Sequence, residues 1–227
     1  MAPSRNSSRN SARRGHRWKR RGTDGAHGDT RVCAMNEDDE EKKSSPQGTE
    51  FLSRQIFAAR SIFIFGPIDQ NMAKDVCAQL VALSQVSDEH VKIYINSPGG
   101  HVESGDTIYD FIKFVRPTIK VIGTGYVASA AALIFVAAKR QNRYCLPQTR
   151  FMIHQPSGGV GGRAADIEIQ AAEIIKMKER LNQTFARETG QPIERVRRDA
   201  ERDYWMGTKE AIEYGILGSV IKSIRDL

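Results

Sequence analysis

The chain has little cysteine, and what it has is spaced wrongly for the two structural uses of cysteine clusters. Cys33, Cys77 and Cys145 are odd in number and far apart, which excludes a disulfide framework and a paired-cysteine metal site. Cys77 and Cys145 sit in apolar runs and read as buried thiols. No apolar run approaches the ~18 to 20 residues of a membrane-spanning helix, and no charged start leads into an apolar secretory segment. Of five histidines, His16 and His27 lie near the start, while His90 and His101 flank an expected strand and a glycine turn. None pairs at metal-ligand spacing, so no metal site is expected. These absences suit a soluble protein of a reducing, cytoplasmic compartment.

The net charge of +7 is unevenly placed. Residues 1–35 carry nine Lys/Arg against two Asp, residues 36–50 carry six acids against two Lys, and residues 51–227 have a net charge of only +4. A basic face for nucleic acid is not indicated in the last segment. The opening MAPSRNSSRNSARRGHRWKRRG is too basic and too poor in apolar residues to bury surface. It reads as a targeting peptide, a loose tail for nucleic acid or an acidic partner, or a misassigned start over residues 1–34. The abrupt change in composition at Met35 favours the last. All three readings leave residues 1–50 disordered and residues 51–227 as one folded domain.

From residue 51 strands and helices alternate. SIFIFG (61–66), VKIYIN (91–96) and TIKVIG (118–123) read as strands, each followed by a helical pattern, so parallel strands joined by crossovers and an α/β domain are expected. Short strands near 143–146 and 150–154 precede a glycine-rich stretch and a long helical pattern over 163–188. Ile167, Ala171, Ile174, Met177, Leu181 and Phe185 form one stripe of that helix, which at ~1.5 Å per residue reaches about 39 Å. A helix of that length is expected to project and pack on another subunit. A last helix stopped by Gly215 and a strand near SVIKS complete the pattern.

Two residues stand where chemistry is done in such folds. His154 ends the strand RFMIHQP at the point where proline and glycines turn the chain, and carboxyl ends of strands face the ligand crevice of open α/β sheets. Ser129 follows a strand and GTGY, and is expected on the first turn of a helix beginning near Val127 or Ala128, where unpaired N–H groups favour negative charge. SPGG at 97–100 repeats the strand-glycine-helix arrangement one unit earlier and offers backbone N–H groups to an oxyanion. A third group must orient the imidazole, and Asp166, Glu168, Asp199, Glu201 and Asp203 all lie downstream. Spacing alone does not choose among them.

From about Phe51 onward the chain resembles the proteolytic subunit family of the ATP-dependent Clp protease. The resemblance rests on RYCLPQTRFMIHQP (143–156), YINSPGG followed by GDTIYD, DIEIQAAEI, ERD at 201–203 and EYG near the end. It implies a crotonase-type α/β fold with stacked sheets, flanking helices and the long helix as a projecting handle between two stacked seven-membered rings. It makes Ser129 the nucleophile, His154 the base and Asp203 the orienting acid. The N–H groups of Gly100 and Ala130 become oxyanion donors, and Gly99 lies beside the substrate backbone. Arg202 and Glu201 correspond to ring-assembly residues, and Tyr94, Phe114 and Tyr144 to the pocket where an AAA+ unfoldase of the ClpX or ClpA type docks. ATP would be used by that partner, so no cofactor is expected here. The chain departs from the family pattern at Tyr126, Val127 and Ala130 around the serine, and at Lys92 and Thr124 in the docking pocket. Two rival readings follow: a silent ring subunit beside an active paralogue, and a crotonase-like acyl-CoA enzyme.

Overall fold

The computed structural model describes residues 46–227, so the readings of the segment before residue 46 lie outside the described residues. The described part opens with helix α1 (Pro46–Ala58), which places residues 46–50 in a helix rather than in the expected tail. Strand β1 (Ser61–Phe65), helix α2 (Gln70–Val86), strand β2 (Val91–Ser97) and helix α3 (Val102–Phe114) follow. Asp69 caps α2 by accepting from the Met72 N–H at 2.8 Å, which satisfies one of the donors a helix leaves open at its start. Strand β3 (Ile119–Ala128) runs five residues beyond the expected end, through GTGYVA, and leads into the short helix α4 (Ala130–Phe135).

Strands β4 (Arg143–Cys145) and β5 (Arg150–Ile153) come next, then the 26-residue helix α5 (Ala164–Thr189). Helix α6 (Ile193–Asp199), strand β6 (Tyr204–Met206), helix α7 (Thr208–Tyr214) and strand β7 (Ser219–Val220) complete the order. Helix α6 and strand β6 had no periodic signal strong enough to be read from seven and three residues. The sheet order is β1-β2-β3-β4-β7, all parallel, with β5 parallel to β3 and β6 antiparallel to β5. The length of β3 makes this possible. Its first half, Val121–Gly123, pairs with β4, and its second half, Tyr126–Ala128, pairs with β5.

The α/β expectation holds, with two details added by packing. Ile62, Ile64, Ile93, Ile95 and Val121 are fully buried, whereas Phe63 and Phe65 on the opposite face of β1 are 47% and 49% exposed. Parallel sheets are usually covered on both faces, so this bare aromatic face is unusual. Helix α5 is buried only toward its end: Leu181 and Phe185 are covered, while Ile169 and Ile175 are 64% and 67% exposed. No residue of the helix before Leu181 is buried, so its first part projects; Ile169 and Ile175 lie off the stripe read from the sequence, of which only Ile167 is exposed, at 38%. At its base the buried Arg143 donates Nε to the Ala138 carbonyl at 2.7 Å and Nη2 to the Val136 carbonyl at 2.7 Å. Its Nη1 donates to the carbonyls of Glu188 at 2.9 Å and Gly215 at 3.2 Å, which ties β4 to α4, α5 and the segment after α7.

Candidate active site

Ser129 occupies the junction between β3 and α4 and not the first turn of a helix, because β3 continues to Ala128 and α4 begins at Ala130. Its backbone is held at φ 57° and ψ −124°, a conformation that costs a non-glycine residue about 1–3 kcal/mol. Two anchors hold it there: the Ser129 N–H donates to the Met152 carbonyl at 2.9 Å, and its carbonyl accepts from Ala132 N–H at 2.9 Å. Serine usually caps a helix through its hydroxyl, but this one makes no cap bond. Its Oγ instead lies 2.8 Å from His154 Nε2. A strained strand-to-helix turn of this kind lifts a hydroxyl off the sheet, as in the nucleophile elbows of hydrolases.

Strand pairing brings the other two groups to the serine. Ala128 is in register with Met152 on the parallel strand β5, so Ser129, one residue on, and His154, two residues on, emerge at the same end. On the other side of β5, Ile153 pairs with Tyr204 of antiparallel β6, which sets Asp203 opposite His154. His154 Nδ1 lies 3.0 Å from Asp203 Oδ1. A carboxylate only accepts, so Nδ1 carries the imidazole hydrogen and the Nε2 lone pair is left to accept from Ser129 Oγ. The side chain of His154 is 23% exposed and that of Asp203 62%, so water shares the Asp203 charge. The other acids are placed elsewhere. Asp166 and Glu168 lie on the exposed part of α5, Asp199 pairs with Arg195 and Arg198, and Glu201 binds Lys178 Nζ at 2.7 Å.

Glu201 nevertheless touches the site indirectly. Its carbonyl accepts from Gln155 Nε2 at 2.8 Å, and the Gln155 N–H donates to the Ala200 carbonyl, so the residue after His154 is clamped to the segment before Asp203. The ion pair with Lys178 of α5, helped by the Gln155 bond, holds the Glu201 carboxyl below its ordinary range. Arg202 lies exposed between Glu201 and Asp203. Lys178 and Gln155 were not singled out from the sequence, since nothing local marks them.

The turn at Gly99 and Gly100 supplies the opposite wall. Gly99, at φ 91°, packs so closely that a Cβ there would stand 2.6 Å from Ser129 Cβ and 2.7 Å from the Ala128 carbonyl oxygen. Its N–H donates to Ser97 Oγ and its carbonyl accepts from Ile68 N–H. Each group thus has an internal hydrogen bond, and the glycine serves close approach to the serine. Gly100, at φ 149°, forms a parallel bridge in which Ile68 bonds to Gly99 and His101. In such a bridge the N–H of the middle residue points away from its partner, here toward the open side. Ala130 is the first residue of α4, where no carbonyl lies a turn behind to meet its N–H.

The model of the Clp protease family matches residues 45–224. The chain belongs to the Clp protease family. It is 56% identical over 191 residues to an ATP-dependent Clp protease proteolytic subunit 3 of Rhizobium etli, a match covering 84% of this chain and 98% of that one. An ATP-dependent Clp protease proteolytic subunit of Paracoccus denitrificans is 52% identical over 182 residues, covering 80% and 91%. Among solved structures, ClpP1 from Listeria monocytogenes superposes with a TM-score of 0.71 at 46% identity, covering 78% of this chain and 99% of that one. As a Clp proteolytic subunit the chain falls in a class of serine peptidases.

The residues that depart from the Clp pattern do not intrude on the Ser129–His154 contact. Val127 is fully buried, Ala130 packs near Gly105, and Tyr126 points to the sheet surface at 40% exposure. Beside Ser129 lies a narrow cavity of about 20 Å³, walled by Val102, Leu133, Pro156, Leu181 and Phe185. It has room for about one water. Of the expected docking residues, Tyr94 and Tyr144 lie in one sheet row with Phe63 and Ile122, and Tyr94 stacks on Phe63 at 5.1 Å. Phe114 ends α3 and contacts Phe111 instead of that row. The half-exposed Phe63 and Phe65 were missed because strand alternation does not say which face is bare. Among the described residues no helix is long and apolar enough to cross a membrane, and no group of three or more His, Cys, Asp or Glu could hold a metal.

Proposed function

We propose that this chain is an active serine endopeptidase subunit that cleaves unfolded polypeptides by acyl transfer. The observation that carries this reading is the unbroken relay from Ser129 Oγ through His154 to Asp203, with contacts of 2.8 Å and 3.0 Å, set on a strained elbow. His154 takes the Ser129 proton as the alkoxide attacks a peptide carbonyl, and Asp203 steadies the imidazolium. The N–H groups of Gly100 and Ala130 hold the oxyanion, and loss of one such donor raises a barrier by about 2.7–4 kcal/mol. His154 then returns the proton to the leaving amine, and water hydrolyses the acyl-enzyme. A substrate strand lying along Gly100 is recognised by its backbone with little side-chain choice.

In the same reading, two heptameric rings stack through the exposed part of α5, with Arg202 and Glu201 near the contact, and enclose the sites in a chamber. An AAA+ unfoldase feeds that chamber through the aromatic row of Phe63, Tyr94 and Tyr144, with Phe114 contributed to a neighbouring subunit's pocket. That unfoldase, and not this chain, uses ATP, and the particle is cytoplasmic. A fluorophosphonate probe is expected to label the assembled protein at Ser129, and Ser129→Ala to abolish labelling. An assembled particle that resists the probe would instead be the silent ring subunit that Tyr126, Val127 and Ala130 suggest.

A further inference from the structure

A second cavity, of about 210 Å³, opens next to the site and takes no part in the proposed chemistry. It lies between the turn at residues 100–103 and the loop at residues 156–158, and is closed by Ile174 and Met177 of α5. Val102 and Pro156 line both this hollow and the cavity beside Ser129, so the two share a wall. A peptide that presents its carbonyl to Ser129 while running along Gly100 therefore lays a neighbouring side chain over the hollow. Its volume is below the ~300–1,000 Å³ of small-molecule sites and suits one long side chain.

The lining has two parts. Val102, Pro156, Ile174 and Met177 make apolar walls, and the Glu103 carboxylate stands at the end, with a side chain 68% exposed. The other carboxylates around it are matched by full cations: Glu173 by Lys176 at 2.7 Å, and Asp106 by Arg180. Among the described residues the Glu103 carboxylate has only His101 within ion-pair distance, with Nε2 at 3.2 Å and Nδ1 2.9 Å from Ser104 Oγ, while Lys176 and Arg180 line an adjoining hollow with it but are engaged by Glu173 and Asp106. Among the described residues no Lys or Arg lies within 4 Å of the Glu103 carboxylate. An apolar passage ending in an unmatched carboxylate complements a side chain with an apolar stem and a cationic tip.

We propose that this hollow selects substrates carrying Lys or Arg at one position near the cleaved bond, with Glu103 as the determinant. The inference rests on the peptidase reading above, and its test separates the two. Peptides identical except for Lys, its neutral counterpart norleucine, or Glu at one position after another are measured in two ways: turnover by the native assembled protein, and binding to the assembled Ser129→Ala variant by fluorescence anisotropy. At one position Lys is expected to exceed norleucine by about 3- to 5-fold in both, with Glu the poorest. The Lys to norleucine ratio is expected to fall to one in Glu103→Gln, to persist in Glu103→Asp and to shrink as salt is raised. Turnover with no Lys preference at any position, or a preference that survives Glu103→Gln, overturns the hollow and leaves the peptidase standing. A Glu103-dependent binding preference without turnover does the reverse. Peptides that do not bind the Ser129→Ala particle at all also overturn it.

Discussion

Replacement of Gly99 by alanine places a methyl group where the elbow already stands. The new Cβ would lie 2.6 Å from Ser129 Cβ, 2.7 Å from Ala128 O and 2.9 Å from Ala130 N, none of which can swing aside as a flexible side chain would. The Ser129 Cβ must retreat by about 0.8 Å to restore an ordinary 3.4 Å contact. Overpacking of this sort costs about 1–3 kcal/mol, and a φ of 91° adds about 1–3 kcal/mol for a residue with a Cβ. Against a domain stability of about 5–15 kcal/mol the fold survives and the elbow yields. A reacting group displaced by ~1 Å loses about 10²-fold in rate. Gly99→Ala is therefore expected to slow fluorophosphonate labelling of Ser129 about 100-fold and to lower the melting midpoint by roughly 5–20 °C. Gly159→Ala is the control, since a Cβ there has nothing within 4 Å and should change neither. A Gly99→Ala protein that labels at the native rate would refute the idea that this close approach positions the serine.

Asp203→Asn keeps the shape of the acid but no longer selects the Nδ1–H tautomer of His154, and kcat for a peptide substrate is expected to fall by about 10²- to 10⁴-fold with little change in KM; an unchanged kcat would remove Asp203 from the mechanism. Arg143→Met strands the buried carbonyls of Ala138, Val136, Glu188 and Gly215, and a cost of about 3–5 kcal/mol is expected in urea unfolding. Burial pushes the Glu188 carboxyl up, but hydrogen bonds from Tyr109 and Lys113 and the charges of Lys113 and Arg143 outweigh it and hold it below its ordinary 4.5. Its stabilising effect is thus complete above 4.5 and is lost as the pH falls through the lower folded value. Asp106, pushed up chiefly by burial, acts in the opposite direction, so the readout is the difference in urea midpoint between native protein and Glu188→Gln, which should shrink on acidification.

Much of the architecture was legible locally because it depends on local periodicity. Apolar alternation located β1 and β2, and the spacing of Ile167, Ala171, Ile174, Met177, Leu181 and Phe185 located α5 nearly to the residue. The end of β3 was not legible, since GTGYVA has no alternation and is held extended by pairing with β5, a strand more than twenty residues later. The short elements α6 and β6 likewise depend on what they pack against.

The same division runs through the site. The sequence by itself determined that a serine and a histidine stand at strand ends beside glycine turns, because chain direction and turn chemistry are local properties. Spacing alone left five acids equal and both glycines of SPGG equivalent, and only the family resemblance singled out Asp203 and Gly100. The tertiary structure supplies the physical reason: antiparallel pairing of β6 with β5 sets Asp203 across from His154, and the approach of Ser129 uses Gly99 as spacer while Gly100 is exposed. It also decided that the Ser129 hydroxyl makes no cap bond to the helix it precedes, and that Glu103, unremarkable in sequence, ends a hollow whose lining holds no Lys or Arg. Each of these depends on contacts between residues distant in the chain, and no local pattern encodes such contacts.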